Sequence, residues 1–145
     1  MDVNPAMYPL APKRIEKSEI SITNYFLSGE DLPMENSSYD SVACTFTLCS
    51  IPDVSKALFE INRVLKPGGK FVFLEHGLSD TSKVQVWQHR LNPLQKIIGD
   101  GCHLNRDMDQ IVRCAAFEMK SLKLFQLPLL TKIIGHCYQG VAFKE

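Results

Sequence analysis

The sequence has no CxxC pair, no apolar run long enough to cross a bilayer and no excess of charge of either sign. Each absence excludes something. Five cysteines, Cys44, Cys49, Cys102, Cys114 and Cys137, are an odd number at scattered spacing, which argues against a disulfide framework and against a zinc site. They read as small buried hydrophobes in a reducing compartment, and no metal is expected. Cys102 beside His103 is the one adjacent pair of metal-ligating type. Lysine plus arginine balances aspartate plus glutamate at 16 each, so no bulk field exists to hold nucleic acid or an anionic membrane. The first residues lack the basic-then-apolar layout of a signal peptide, and the chain reads as soluble and cytoplasmic, with no transmembrane segment. There is no internal repeat and no low-complexity stretch.

What is present is enough apolar residue for a core. At 145 residues and 45% hydrophobic, residues 1–145 are expected to form a single domain. The most informative stretch is YDSVACTFTLCSIPDVSKALFEINRVLKPGGKFVFLEHG. Val42, Ala43 and Cys44 form a short apolar run of the kind buried on both faces, as do residues 71–74. Between them Val54, Leu58, Ile61 and Leu65 recur at helical spacing. Asp53 is placed to cap that helix, and KPGG is placed to end it. The unit predicts a parallel strand pair joined by a crossover helix.

Upstream, a helix is expected over residues 5–18, shortened by Pro9 and Pro12, then a strand over 20–28 from its β-branched and aromatic content. Downstream, Val84, Trp87, Leu91 and Leu94 predict an amphipathic helix bent near Pro93. A further helix follows, with Asn105 as its cap and Met108, Ile111, Val112 and Ala115 inward. EMKSLKLFQLP and GHCYQGVAFKE read as a terminal strand pair. The alternation predicts an α/β domain of three layers.

In order along the chain, DVNPAM, GEDLP followed by SSYDSV, and EINRVLKPGGKFVFLEHG resemble the class I S-adenosylmethionine-dependent methyltransferases. The segments CTFTLCSI, LEHG and DGCHLNRD are most similar to a subgroup that includes small-molecule thiol methyltransferases. The resemblance implies an incomplete Rossmann-like fold, mostly parallel, with an antiparallel C-terminal strand pair and the first strand missing. It also implies that the family's glycine-rich loop would precede Met1. Gly99 and Gly101 follow a helix rather than a strand, so they do not replace that loop. In the family's strand order the loss leaves a gap of roughly 14 Å, three strand spacings, beside the strand at residues 40–46. The 20–28 segment would then shift across, detach, or leave an edge open to a complementing segment or to self-association.

Site residues follow from the same resemblance. S-adenosylmethionine is the implied cofactor. Asp2 would accept the ribose hydroxyls, Ser28, Gly29 and Glu30 would meet the adenine, and Thr45 and Phe46 would line the wall beyond the strand. Asp2 also reads as a simple turn or capping aspartate, and Thr45 and Phe46 as strand-end packing. His76 is the candidate to deprotonate or orient an acceptor, histidine being the side-chain type suited to proton transfer at physiological pH. A lone histidine at a strand end is more often a satisfied structural residue, which is the other reading. Glu75, Trp87, Asp100 and Cys102 are candidates for an acceptor pocket. The implied function is methyl transfer to a small molecule, a thiol favoured, weak or absent in the isolated chain. The alternative is a non-catalytic remnant or interaction module.

Overall fold

The computed structural model describes Met1, Pro9 and residues 12–145, and of Lys13 its backbone only. Four strands form one sheet: β1 (Tyr39–Thr45), β2 (Leu65–His76), β3 (Phe117–Gln126) and β4 (His136–Lys144), in the order β1-β2-β4-β3. β1 and β2 are parallel, and β4 is antiparallel to both β2 and β3. The α/β fold with an antiparallel C-terminal pair therefore holds. The parallel share is one pairing of three, because no described residue upstream of β1 joins the sheet.

Four helices accompany the strands: α1 (Pro12–Ile15), α2 (Val54–Val64), α3 (Ser82–Ile98) and α4 (Met108–Cys114). α2 crosses between the parallel strands, as its apolar spacing predicts. Its Asp53 cap accepts from the Lys56 amide at 3.0 Å, and Ala57, Leu58, Ile61 and Val64 are buried. Leu58 and Ile61 join Phe71 and Phe73 of β2, Met108 and Val112 of α4, and Phe117 and Ala142 in the core. Phe71 lies 5.2 Å from Phe117 and 5.5 Å from Phe73 between ring centroids. Burying such a set is the main driving force for this half of the molecule, at roughly 1.5–3 kcal/mol for each large side chain.

Several expectations need correction. Residues 21–28 form no strand; β-propensity acts only beside a neighbour that accepts the ladder bonds, and β1 takes none of them. Of the helix expected over 5–18, Pro12–Ile15 is helical, and residues 2–8, 10 and 11, including Asp2, lie outside the described residues. β1 is not buried on both faces: Val42 and Cys44 are half-buried and Ala43 is exposed, as at a sheet edge. KPGG does not separate helix from strand, since β2 starts at Leu65. Instead it bulges out of the ladder, Tyr39 pairing with Leu65 and Ser41 with Lys70, with Gly68 at φ 71°. The α4 cap is Asp107, accepting from the Gln110 amide at 3.1 Å, rather than Asn105. Along α3, Trp87 and Leu94 are exposed and Gln88 alone is buried. Gln88 ties this helix down by donating to the carbonyls of Gly77 and Ile133 and accepting from the Ser79 amide. The third layer is thus incomplete among the described residues, and the β2 face bearing Val72 and Leu74 is half-buried.

Candidate functional site at the carboxyl ends of the parallel strands

β1 and β2 end side by side, with Thr45 paired to Leu74. The chain then turns sharply. Phe46 takes φ 50°, a left-handed conformation costly for a side chain of its size, while its amide donates to the Leu74 carbonyl at 2.8 Å. Its ring stands 4.7 Å from the His76 imidazole between centroids. Two predicted residues, one for the cofactor wall and one for catalysis, are therefore in contact.

Glu75 is fully buried, and its carboxylate accepts the amides of Thr47 at 2.9 Å and Cys49 at 3.1 Å. Burial pushes its carboxyl above the usual range, and the amide bonds oppose that push. Glu75, a candidate for the acceptor pocket, uses both carboxylate oxygens to hold the turn after β1. Arg106 closes the same turn from outside. Its guanidinium donates to the carbonyls of Leu48, Ile51 and Pro52.

The loop after α3 packs onto this turn. His103 donates to the Cys49 carbonyl through its amide at 2.8 Å and its Nδ1 at 3.2 Å. Gly101, at φ 85°, lies where a Cβ would stand 3.0 Å from the Ser50 carbonyl oxygen. These contacts bring Cys102 to Cys49 and His76, with the two sulfurs and an imidazole nitrogen all within 4.8 Å of one another. Cys102 Sγ is 3.8 Å from His76 Nδ1. The thiol of Cys49, donating to Cys102, brings the latter down to about 7 against the push of burial. The same donation, with burial, pushes Cys49 up. The His76 Nε2 is buried and has no hydrogen-bond partner among the described residues.

The expected adenine loop also lies here. Gly29 packs against Ile51, and the Glu30 carboxylate accepts the Asp53 amide at 2.6 Å, at the start of α2. Ser28 Oγ donates to Glu30 and accepts its amide, both at 3.2 Å. Glu30 is therefore committed to anchoring the loop. Trp87 stays apart: it is 51% exposed on α3, with the Arg90 guanidinium 5.6 Å from its ring. Asp100 is exposed in the loop beside Gly101, at φ 50°. A separate cavity of about 240 Å³ lies between Ser79–Thr81 and residues 124–126, near His136, and holds none of the predicted residues.

Cys49 and Arg106 are the residues that sequence reasoning missed. Linear spacing excluded a metal site built from local pairs. It could not register three donors brought together from separate elements.

Comparison with known proteins places the chain in a family. The model of a methyltransferase domain family matches residues 1–73, half of the chain. The rat thiol S-methyltransferase TMT1B is 39% identical over 118 residues, covering 80% of this chain and 48% of that protein. The human thiol S-methyltransferase TMT1A is 32% identical over 148 residues, covering 99% and 61%. The chain thus spans about half to three fifths of the length of these relatives. Among solved structures, a SAM-dependent methyltransferase from Methanosarcina mazei superposes with a TM-score of 0.73 at 20% identity, over 99% of this chain and 79% of that one. That likeness shows the fold. With the family match across the strand, helix and turn that build the site, the chain belongs to the class I S-adenosylmethionine-dependent methyltransferase family.

Proposed function

We propose that this chain serves S-adenosylmethionine-dependent methyl transfer to a small-molecule acceptor, with a thiol favoured over a hydroxyl, amine or ring carbon. One observation carries the reading. The loop at residues 28–30, Thr45, Phe46 and His76 gather at the carboxyl ends of a parallel strand pair, where open α/β sheets bind their ligands. The thiol preference rests on relatives that are themselves thiol S-methyltransferases. The five free thiols suit a reducing, cytoplasmic compartment.

When bound, the cofactor supplies a methyl group on an activated sulfonium leaving group. The protein's own contribution is position and proton management. Asp2 is assigned to the ribose hydroxyls, and Ser28 and Gly29 to the adenine edge. Thr45 and the Phe46 ring form the wall between cofactor and acceptor. His76 Nε2, lacking a partner among the described residues, accepts the acceptor's thiol proton. Binding by the chain alone should be weak, since the described residues offer one wall of the site. The free edge of β1 is where a complementing segment, or a second copy, would add a strand.

A second reading, a non-catalytic interaction module, is favoured by that same edge and by residues 21–28, which form no strand of the sheet. Mass spectrometry of small thiols, phenols and amines incubated with chain and S-adenosylmethionine separates the two. A methyl thioether is the expected product, lost about 100-fold in His76→Gln. No methylated product, with or without a segment carrying the family's first strand and glycine loop, would leave the module reading.

A further inference from the structure

We propose that Cys49, His76 and Cys102 form a mononuclear site for a soft divalent cation, Zn²⁺ in the first instance, at the carboxyl ends of β1 and β2. Two thiols and an imidazole converge from three separate places: the turn after β1, the end of β2 and the loop after α3. Zinc bonds of about 2.3 Å to sulfur and about 2.0–2.1 Å to nitrogen set the tetrahedral S···N separation near 3.6 Å and S···S near 3.8 Å. Cys102 Sγ and His76 Nδ1 already stand 3.8 Å apart, and no separation in the cluster exceeds 4.8 Å. Shifts of an ångström or less, on the order of one rotamer adjustment, would close the site.

The imidazole supplies a second argument. Its Nε2 has no partner among the described residues, and the neighbour of its Nδ1 is the Cys102 sulfur. A half-buried histidine whose polar company is thiol has little hydrogen-bonding reason to be there. It has a coordinative one.

The surroundings are those of a held site. Glu75 fixes the Cys49 amide, His103 fixes the Cys49 carbonyl, and the Cys102 amide donates to the Gly99 carbonyl at 3.1 Å. Such supporting contacts orient ligands before the metal arrives. Two thiolates cancel the charge of the cation, so the centre is neutral in a buried place. Binding releases the two thiol protons to solvent. Three protein donors of the Cys₂His type leave a fourth position open, the arrangement of zinc sites that take an exogenous ligand.

A consequence rests on the methyl-transfer reading. In the metal-loaded chain His76 is a ligand, and a thiol acceptor entering the open position would release its proton to solvent on coordination, while the base role of His76 belongs to the metal-free chain. The metal site itself does not depend on that reading.

The test is titration of the reduced, chelator-treated chain with Co²⁺ as a spectroscopic substitute for Zn²⁺. Expected are one equivalent bound, intense visible bands of tetrahedral cobalt with sulfur-to-metal charge transfer, and displacement by Zn²⁺. Cys49→Ser and Cys102→Ser should each weaken binding by more than about 100-fold, beyond what loss of an outer contact does. Cys114→Ser, outside the cluster, should bind as the parent does. Circular dichroism checks that each variant is folded, and His76→Gln repeats the test without touching a cysteine. Weak octahedral spectra, or bands insensitive to the serine variants, would overturn the proposal. So would a reduced chain that takes no metal yet forms a Cys49–Cys102 disulfide with glutathione disulfide. S-adenosylhomocysteine binding is read separately, with a segment carrying the family's first strand and glycine loop added, so metal uptake without it would sink the methyl-transfer role and leave the metal site standing.

Discussion

Gly101 holds the site together by what it lacks. Its φ of 85° and a virtual Cβ 3.0 Å from the Ser50 carbonyl oxygen leave no comfortable place for a side chain. Gly101→Ala should lower stability by about 1–2 kcal/mol, the cost of a left-handed residue, read as a fall in the urea midpoint. An unchanged midpoint would mean the loop relaxes elsewhere at no cost. Glu75 is the polar counterpart. Glu75→Ala orphans the Thr47 and Cys49 amides and should lose on the order of 2 kcal/mol or more. Glu75→Gln, which keeps one acceptor oxygen, should lose less. At this scale the sequence was legible only where a motif was local. Asp53 could be seen as a cap because the Lys56 amide it receives is three residues away. Arg106 could not, because the Leu48 carbonyl it serves is 58 residues away. His76 and Cys102 are likewise 26 residues apart, and nothing in their spacing joins them.

Elements were legible in proportion to how much of their partner the chain contains. β1, α2 and β2 follow from their periodicity because each buries its apolar side on another. The stripe of α3 and the β-rich stretch at residues 20–28 have the same signals but no facing layer among the described residues, and Trp87, Leu94, Ile20 and Ile22 remain exposed. α2 is fastened by a clamp that no pattern announced. Glu60 accepts the Leu32 amide at 2.9 Å and the Nε and Nη2 of Arg63, and Arg63 donates onward to the carbonyls of Leu32 and Met34. The guanidinium holds the Glu60 carboxyl down to about 2, from an ordinary value of 4.5. A carboxyl depressed on folding stabilises the folded state above its unfolded pKa, and that contribution disappears as pH falls through the folded one. The parent chain should therefore lose stability between about pH 4.5 and pH 2 in denaturant titrations. Glu60→Gln should start lower at neutral pH and change less across that window. Parallel pH profiles for the two would show that the clamp is not electrostatically linked to folding.

At the scale of the whole molecule, the described residues form a four-stranded mixed sheet with one face filled by α2 and α4 and with β1 at its edge. Gly140 shows how closely the C-terminal pair is fitted to the parallel pair, since a Cβ there would run into the Phe73 ring. The fold class was readable in advance because strand, crossover helix and terminal pair all leave local signatures. The sheet's balance of parallel and antiparallel pairing was not, since it depends on which strands find a neighbour. The central claim is that this architecture presents part of a methyl-donor site, and calorimetry with S-adenosylhomocysteine tests it most directly. The account predicts little heat from the chain alone, and saturable binding once a segment carrying the family's first strand and glycine-rich loop is added. Tight binding by the chain alone would contradict the claim that it offers one wall of the site, and silence in both titrations would contradict the methyl-transfer reading altogether.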